Sequence, residues 1–202
     1  MQHLMTREQI PNLLSSLRIA LIIPVVWSLL TGHTLVALIL FAIAGLTDSL
    51  DGWLARREHW ETNVGGILDA VADKLLLVSV YLCLWWLDHI PTWLIALLFG
   101  RDLLISLGSL WYHTRLGKFE AAPTPTGKLH TLFQICLVIV ILAQLSLFPD
   151  IPADISKGLM LMLIVTAIVS LLGYTWQGYQ DARMAYYQKL HDAAKKDHNT
   201  TR

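Results

Sequence analysis

The sequence predicts an all-α integral membrane protein in which six transmembrane helices form one bundle. Hydrophobic residues make up 55% of the 202 residues and charged residues only 15%, well below the roughly 25% of an average soluble domain. Six segments are each apolar over about the 20 residues that a helix needs to cross a bilayer. Basic residues fall almost entirely on one side of these segments. Together these observations leave no room for a separate soluble domain.

The predicted elements follow one another closely along the chain. Thr6-Arg7-Glu8-Gln9 form a capping box that opens a short N-terminal juxtamembrane helix, which we expect to break at Pro11. The last residues are polar, with helix formers first and an irregular end. We therefore expect a membrane domain over residues 1–180 and a polar cytoplasmic tail over residues 181–202. The six apolar segments cover, approximately, residues 13–30, 34–56, 64–87, 91–113, 128–148 and 157–179.

The distribution of charge predicts the orientation of the bundle. If the N-terminus is cytoplasmic, Lys157 alone lies on the opposite side, and eleven basic residues at the ends of the segments or beyond them lie on the cytoplasmic side. This positive-inside bias places both termini in the cytoplasm, and we expect the inner (cytoplasmic) membrane of a bacterium. The formal net charge of +0 gives no general attraction to nucleic acid. The eleven are Arg7, Arg56, Arg57, Arg115, Lys118, Lys128, Arg183, Lys189, Lys195, Lys196 and Arg202.

Four aspartates lie within the second and third segments. Asp48 and Asp51 are separated by i,i+3, and Asp69 and Asp73 by i,i+4, so each pair projects from one face of its helix. The connection over residues 57–64 is short enough to make the two helices antiparallel neighbours whose acidic pairs converge. Each unpaired Asp at mid-helix costs about 2.5–3.5 kcal/mol, and four cost on the order of 10–14 kcal/mol. Such a cost indicates a functional site.

The acidic pairs predict a site for two divalent metal ions that acts on a phosphate. Two such ions neutralise four carboxylates, and hard oxygen ligands suit Mg²⁺ or Mn²⁺ rather than zinc. A metal pair can stabilise both the attacking and the leaving oxygen of a phosphoryl displacement. Gly52, Ala55, Gly65 and Gly66 are small enough to let a ligand approach. Arg56 can bind a phosphate through two hydrogen bonds.

Two other interpretations account for part of this pattern. Structural ion pairs could join Arg56 to an acid of the second segment and Lys74 to Asp73. Two cations cannot balance four carboxylates, however, and Lys74 directly follows Asp73 and so faces elsewhere. A metal- or proton-coupled transporter also uses intramembrane acids. It does not explain the small residues and the arginine between them.

The spacing of these residues resembles the motif of one enzyme family. The pattern Asp48-x2-Asp51-Gly52-x2-Ala55-Arg56-x8-Gly65-x3-Asp69-x3-Asp73 is similar, without a gap or a substitution, to that of the CDP-alcohol phosphatidyltransferases. The six-segment layout and the Ile-Pro-Asn-Leu-Leu opening at 10–14 extend the resemblance over nearly the whole chain. It implies an integral membrane enzyme that transfers the phosphatidyl group from CDP-diacylglycerol to an alcohol and releases CMP.

The resemblance also implies a role for each matching position. Asp48 and Asp69 would each bind both metal ions, whereas Asp51 would bind one ion and Asp73 the other. Asp73 would in addition be the general base that accepts the proton of the acceptor hydroxyl. Relatives with this motif are typically homodimers, and a catalytically inactive member that acts as a membrane scaffold is a further alternative. The residues that would hold CDP-diacylglycerol are Gly52, Arg56, Thr62 and Asn12.

Two branches of the family resemble the chain, and they differ in the acceptor alcohol. The CMP-forming cardiolipin synthases, whose acceptor is phosphatidylglycerol, are similar over residues 44–52, 100–102 and 123–128. The phosphatidylglycerophosphate synthases, whose acceptor is sn-glycerol 3-phosphate, usually have a second arginine two turns after Arg101. Residues 106–111 offer no cation here, so we favour phosphatidylglycerol and keep glycerol 3-phosphate as the alternative. Ala70 stands where both branches usually have proline.

Other polar residues within or near the segments are candidates for lipid contacts. Arg101-Asp102 forms either a buried ion pair with a neighbouring helix or a contact to the acceptor head group. Lys128 could bind the acceptor phosphate, although the positive-inside bias explains it equally well. Arg18 is either a snorkelling side chain or a phosphate contact. The eight histidines show no metal-ligand spacing, and we expect them at membrane interfaces or in the tail.

Overall fold

The computed structural model is entirely helical over the residues that it describes. These are residues 9–58, 63–116 and 125–200 for the backbone, and no strand occurs among them. Side chains are described within 16–47, 71–108 and 125–176, and at 178, 180, 183 and 184. The six helices are α1 (Gln9–Leu30), α2 (Thr34–Glu58), α3 (Asn63–Trp86), α4 (Thr92–Leu116), α5 (Pro125–Ser146) and α6 (Ala153–Thr200). All six predicted segments are therefore confirmed as helices.

Two helices are long and apolar enough to cross a membrane within the described residues. These are α5 and the Ala153–Trp176 part of α6, and shorter apolar stretches cover Ser16–Leu30 and Thr34–Thr47. Large apolar side chains face outward around the helices, among them Ile23 and Leu172 at 74% and 65% exposed. An outward-facing apolar surface of this kind is what a lipid environment requires, because hydrocarbon offers no partner for polar groups.

The structure corrects two expectations about helix ends. The predicted break at Pro11 is wrong, because α1 begins at Gln9 and runs through Pro11 to Leu30. Proline is tolerated in the first turn of a helix, where its missing N–H would have no intrahelical partner. The irregular end expected for the tail is also wrong, since α6 continues as one helix of 48 residues to Thr200. Residues 1–8, which hold the first three residues of the predicted capping box, lie outside the described residues.

The connections after α1 and α3 end their helices in the same way. After α1, Gly32 has φ of 79°, and the N–H of His33 donates to the carbonyl of Ser28 at 2.8 Å. After α3, Asp88 has φ of 59°, and the N–H that follows it makes the equivalent bond at 2.9 Å. This left-handed cap satisfies carbonyls that the end of a helix leaves without partners, and it turns the chain sharply into the next helix.

The chain divides into two compact units. The first comprises Met1–Ile95 and Ile135–Leu159, and the second comprises Ala96–Gln134 and Met160–Arg202. Within the first unit, α1 packs against both α2 and α3. Its buried residues recur every three to four positions, as expected for helix faces that pack together. They include Val25 and Leu29 on α1, Ala37, Phe41 and Ala44 on α2, and Ala72, Leu76, Val80 and Leu84 on α3.

Candidate functional site

The acidic pair of α2 continues the buried face of that helix. Ala37, Phe41 and Ala44 are buried, and Asp48 and Asp51 follow Ala44 by i+4 and i+7. Positions at these spacings share one face of an α-helix. The backbone of α2 therefore carries both acids in line with the side of the helix that is buried in the first unit.

The acidic pair of α3 is placed in the same way. Asp69 and Asp73 are one helical turn apart, and the buried Leu76 and Leu77 follow Asp73 by i+3 and i+4. The Asp73 side chain is half-buried and takes part in a polar interaction. Both acidic pairs thus extend the buried faces of two helices that pack against the same third helix, α1.

α1 contributes a buried positive charge to this region. Arg18 is only 2% exposed, and it interacts with at least one neighbouring group. At 1.5 Å per residue it lies about 18 Å before the end of α1, while Asp48 lies about 21 Å after the start of α2. Because only residues 31–33 connect these two helices, Arg18 and Asp48 lie at a similar depth. Because its side chain is almost fully buried, Arg18 does not extend along the helix into water.

Most of the predicted site residues lie beyond the side chains that the structure describes. Among the predicted metal ligands, only the side chain of Asp73 is described. Thr62 lies outside the described residues. Six other predicted site residues lie on the described helices but have no described side chain: Asn12, Asp48, Asp51, Gly52, Arg56 and Asp69. The chemistry of the donor set nevertheless fits hard divalent cations, since four carboxylates at the ends of two buried helix faces require a positive counter-charge.

A second group of polar residues lies within the second unit and begins at Arg101 of α4. Its Nη1 donates to Asp102 Oδ1 at 2.8 Å, and its Nη2 donates to Ser170 Oγ of α6 at 2.5 Å. The Arg101 side chain is 10% exposed, and its buried Nε has no hydrogen-bond partner among the described residues. The ion pair therefore joins two adjacent residues of α4, and the described contact of Arg101 to a neighbouring helix is the hydrogen bond to the neutral Ser170 rather than an ion pair.

His130 of α5 forms the other half of this group. Its Nδ1 lies 2.8 Å from Thr166 Oγ1 of α6, and its Nε2 lies 3.4 Å from the side-chain nitrogen of Gln134. The Thr166 hydroxyl already donates to the carbonyl of Met162 at 2.8 Å, so it accepts from His130. His130 is 0% exposed, and the expectation of an interfacial or tail position is wrong for this histidine.

We call Arg101, Asp102, His130, Gln134, Thr166 and Ser170 the polar cluster. Its two halves meet on α6, where Thr166 and Ser170 are one turn apart and both buried. The cluster does not include Lys128, which is exposed in the first turn of α5. No hydrogen bond or ion pair joins Lys128 to Arg101 within the described part of the chain.

Sequence reasoning missed four members of the polar cluster, although a signal was present. His130 and Gln134 on α5, and Thr166 and Ser170 on α6, are i,i+4 pairs of polar residues in otherwise apolar segments. Such pairs share a helix face, and polar residues within a membrane segment tend to bond to a neighbouring helix. The spacing identifies the faces but not the partner helix.

Comparison with known proteins places this site in a family. The family described as CDP-alcohol phosphatidyltransferase matches residues 8–172. A Rattus norvegicus protein named cardiolipin synthase (CMP-forming) is 32% identical over 162 residues, which are 80% of this chain and 50% of the rat protein. An Aquifex aeolicus protein named CDP-diacylglycerol–glycerol-3-phosphate 3-phosphatidyltransferase is 29% identical over 174 residues, or 85% of this chain and 96% of that protein. A Shigella flexneri protein of the same name is 33% identical over 181 residues, which are 82% of this chain and 92% of that protein.

The extent of these matches differs between the relatives. The chain spans about half the length of the rat and human proteins but nearly all of the Aquifex protein. The family match covers all four aspartates, Arg56 and every member of the polar cluster. The resemblance inferred from the spacing of the acids is therefore confirmed, and the chain belongs to the CDP-alcohol phosphatidyltransferase family.

Proposed function

We propose that this chain transfers the phosphatidyl group from CDP-diacylglycerol to an alcohol and releases CMP. The observation that carries the proposal is the placement of the two acidic pairs. They match the family motif residue for residue, and they continue the buried faces of two helices that pack on α1. A packing role alone does not account for four acids there, because each is costly in a membrane.

The acids of α2 and α3 hold two divalent ions, Mg²⁺ or Mn²⁺. Asp48, Asp51, Asp69 and Asp73 would be the ligands of these ions. When bound, the ions neutralise charge on the reacting phosphate and lower the pKa of a nearby hydroxyl. This lowering matters because a carboxylate that also binds metal is a weak base.

The remaining motif residues bind the nucleotide and handle the proton. Gly52, Arg56, Thr62 and Asn12 hold the CDP part of the donor lipid, with the Arg56 guanidinium on the phosphates. Asp73 accepts the proton of the acceptor hydroxyl. The acceptor oxygen then attacks the phosphorus that carries diacylglycerol, and CMP leaves with its charge stabilised by Arg56.

Phosphatidylglycerol is the acceptor that we favour, which makes cardiolipin the product. Support comes from the similarity to the rat cardiolipin synthase (CMP-forming) and from Arg101, a nine-tenths buried cation that can hold the acceptor phosphate. Lys128 is a second candidate contact for the same phosphate. One observation favours glycerol 3-phosphate instead: the Aquifex relative with that acceptor in its name matches over 96% of its length.

The topology belongs to the same proposal. Six membrane spans with both termini cytoplasmic place the acidic pairs at the cytoplasmic ends of α2 and α3, where a soluble nucleotide can leave. We further propose a homodimer in a bacterial inner membrane. The positive-inside bias of the basic residues supports the orientation.

The decisive experiment measures CMP release by the purified protein. Wild-type protein in mixed micelles with CDP-diacylglycerol, Mg²⁺ or Mn²⁺ and phosphatidylglycerol should release CMP. Chelation of the metal should abolish the release, and re-addition should restore it. Asp69→Asn should be inactive, whereas Asp150→Asn, which makes the same charge change at an exposed outer-loop position, should keep wild-type activity.

The assay also separates the competing functions. A folded wild-type protein that releases no CMP with either acceptor would overturn the proposal and leave a scaffold or a transporter. Exclusive use of glycerol 3-phosphate would keep the transferase and overturn only the choice of acceptor. Binding of Mn²⁺, followed as an increase in the melting temperature, provides a readout that does not depend on turnover.

A further inference from the structure

The polar cluster contains a hydrogen-bond donor for which the described residues supply no acceptor. A guanidinium carries five N–H donors. In Arg101, Nη1 is directed to Asp102 and Nη2 to Ser170, while the buried Nε lacks a partner among the described residues. Leaving a buried donor of a charged group unsatisfied is unfavourable, and nearly all such groups in native proteins have a partner. An acceptor for this N–H must therefore come from outside the described residues, and an anionic ligand would supply one.

The other half of the cluster adds no positive charge to this position. The Thr166 hydroxyl proton is directed to the backbone of α6, so Nδ1 of His130 must carry the donated proton. Nε2 then accepts from the Gln134 amide. In this arrangement His130 is a neutral ring with one donor and one acceptor.

The charged side chains of the polar cluster are therefore one arginine and one aspartate, in contact at 2.8 Å. Asp102 is 25% exposed and makes a further interaction besides this pair. A ligand anion that binds to Arg101 comes close to the Asp102 carboxylate. Repulsion between them grows with the charge of the anion, so Asp102 acts against a doubly charged ligand more than against a singly charged one.

The two candidate acceptors differ in this property. The phosphate of phosphatidylglycerol is a diester with one negative charge. The phosphate of glycerol 3-phosphate is a monoester, and such groups carry about −1.5 to −2 at neutral pH. A single unshared arginine would favour the monoester, whereas an arginine already paired with a carboxylate favours the diester by disfavouring its competitor.

We propose that Asp102 is a specificity-determining residue, which makes Arg101 select an acceptor phosphodiester over an acceptor phosphomonoester. This inference rests on the proposed transferase function and extends it to a residue that does not belong to the acidic motif. Ser170 is the positioning residue, because its hydroxyl fixes Nη2 of Arg101 and thereby orients the Nε edge.

The test compares both acceptors in the CMP-release assay. We expect Asp102→Asn to shift the ratio of kcat/KM for phosphatidylglycerol over glycerol 3-phosphate by about tenfold or more toward glycerol 3-phosphate. Asp102→Glu retains the charge and should stay near the wild-type ratio. Asp154→Asn removes an equal charge at an exposed position of α6, where the acid pairs with Lys157 at 3.2 Å, and should leave the ratio unchanged.

A second measurement needs no variant and so does not depend on folding. Glycerophosphoglycerol, a soluble phosphodiester, and glycerol 3-phosphate are each added to wild-type enzyme turning over phosphatidylglycerol. We expect the diester to inhibit at the lower concentration. Equal or stronger inhibition by the monoester would overturn the inference.

The outcomes distinguish this inference from the proposed function. If wild-type protein releases no CMP with any acceptor, the transferase proposal fails and Asp102 has no reaction to select for. If wild-type protein uses phosphatidylglycerol and a folded Asp102→Asn keeps the wild-type ratio, the inference alone fails. A wild-type protein that uses only glycerol 3-phosphate also refutes the inference while keeping the transferase.

Discussion

In the proposed mechanism, Asp73 combines two demands that usually conflict in one carboxylate. Its half-buried position on α3, one turn before the buried Leu76 and Leu77, suits a group that must be ionised yet shielded from bulk water. As a metal ligand it must stay charged, and as a base it must accept a proton for a short time. The proposed metal site reconciles the two, because the acceptor hydroxyl itself becomes more acidic.

Replacing Asp73 by Asn tests this double role. The amide cannot accept the proton, so we expect kcat to fall by about 10²–10⁴-fold, the usual contribution of a general base. The increase in melting temperature caused by Mn²⁺ should become smaller in parallel. Asp150→Asn again serves as the control, and a variant that retained most of its kcat would remove Asp73 from the mechanism.

Arg18 offers a test of stability at the same depth of the bundle. The side chain is 2% exposed and engaged with a neighbour, so Arg18→Met leaves that neighbour without its partner. Leaving a buried polar group without its partner costs about 1–3 kcal/mol, and more for a charged group. We expect the loss to appear as a lower melting temperature in detergent. Arg18→Lys should recover part of it, and a Met variant as stable as wild type would contradict a structural role for the charge.

The sequence was sufficient for the acids but not for His130. Carboxylates in apolar segments indicate a functional site whatever their orientation, because placing a charged side chain in hydrocarbon is costly. A histidine near the start of a segment is equally compatible with the interface and the interior. Its burial depends on Thr166, 36 residues later in the chain, and no local pattern identifies that partner.

Helix ends were the elements least determined by local sequence. Pro11 has two opposite consequences, a break inside a helix or a favourable start in its first turn, and the described helix runs through Pro11 without a break. Similarly, the polar residues after 180 contain good helix formers. Attached to the end of a formed helix, they extend it without the cost of nucleation.

The Thr166 hydroxyl links α6 to His130 of α5. Thr166→Val keeps the shape of the side chain but removes the acceptor of the His130 Nδ1–H, and we expect a loss of about 1–3 kcal/mol in stability. Thr175→Val is the matched control on the same helix, since this exposed hydroxyl bonds only to the Leu172 carbonyl at 2.9 Å in the described structure. Equal melting temperatures for the two variants would show that the bond contributes nothing.

The orientation of the whole molecule can be tested through two exposed positions. His89 lies in the connection after α3, and Met184, 69% exposed, lies beyond the apolar part of α6. With both termini cytoplasmic, a membrane-impermeant maleimide should label His89→Cys in intact spheroplasts. Met184→Cys should react only after permeabilisation.

The native cysteines provide the background for this experiment. Cys83 is buried and Cys136 half-buried, and both lie within helices in the apolar part of the chain. Wild-type protein should therefore react weakly under either condition. Labelling of Met184→Cys in intact spheroplasts would invert the proposed topology and place the acidic pairs on the outer side.

α6 is unbroken from Ala153 to Thr200, and its polar distal half is therefore a direct continuation of its apolar half, Ala153–Trp176. At 1.5 Å per residue the helix is about 72 Å long, and roughly half of this length extends past Trp176. Thr166 and Ser170 lie on this same continuous helix. Any displacement of the distal half would therefore also move the two hydroxyls that hold His130 and Arg101.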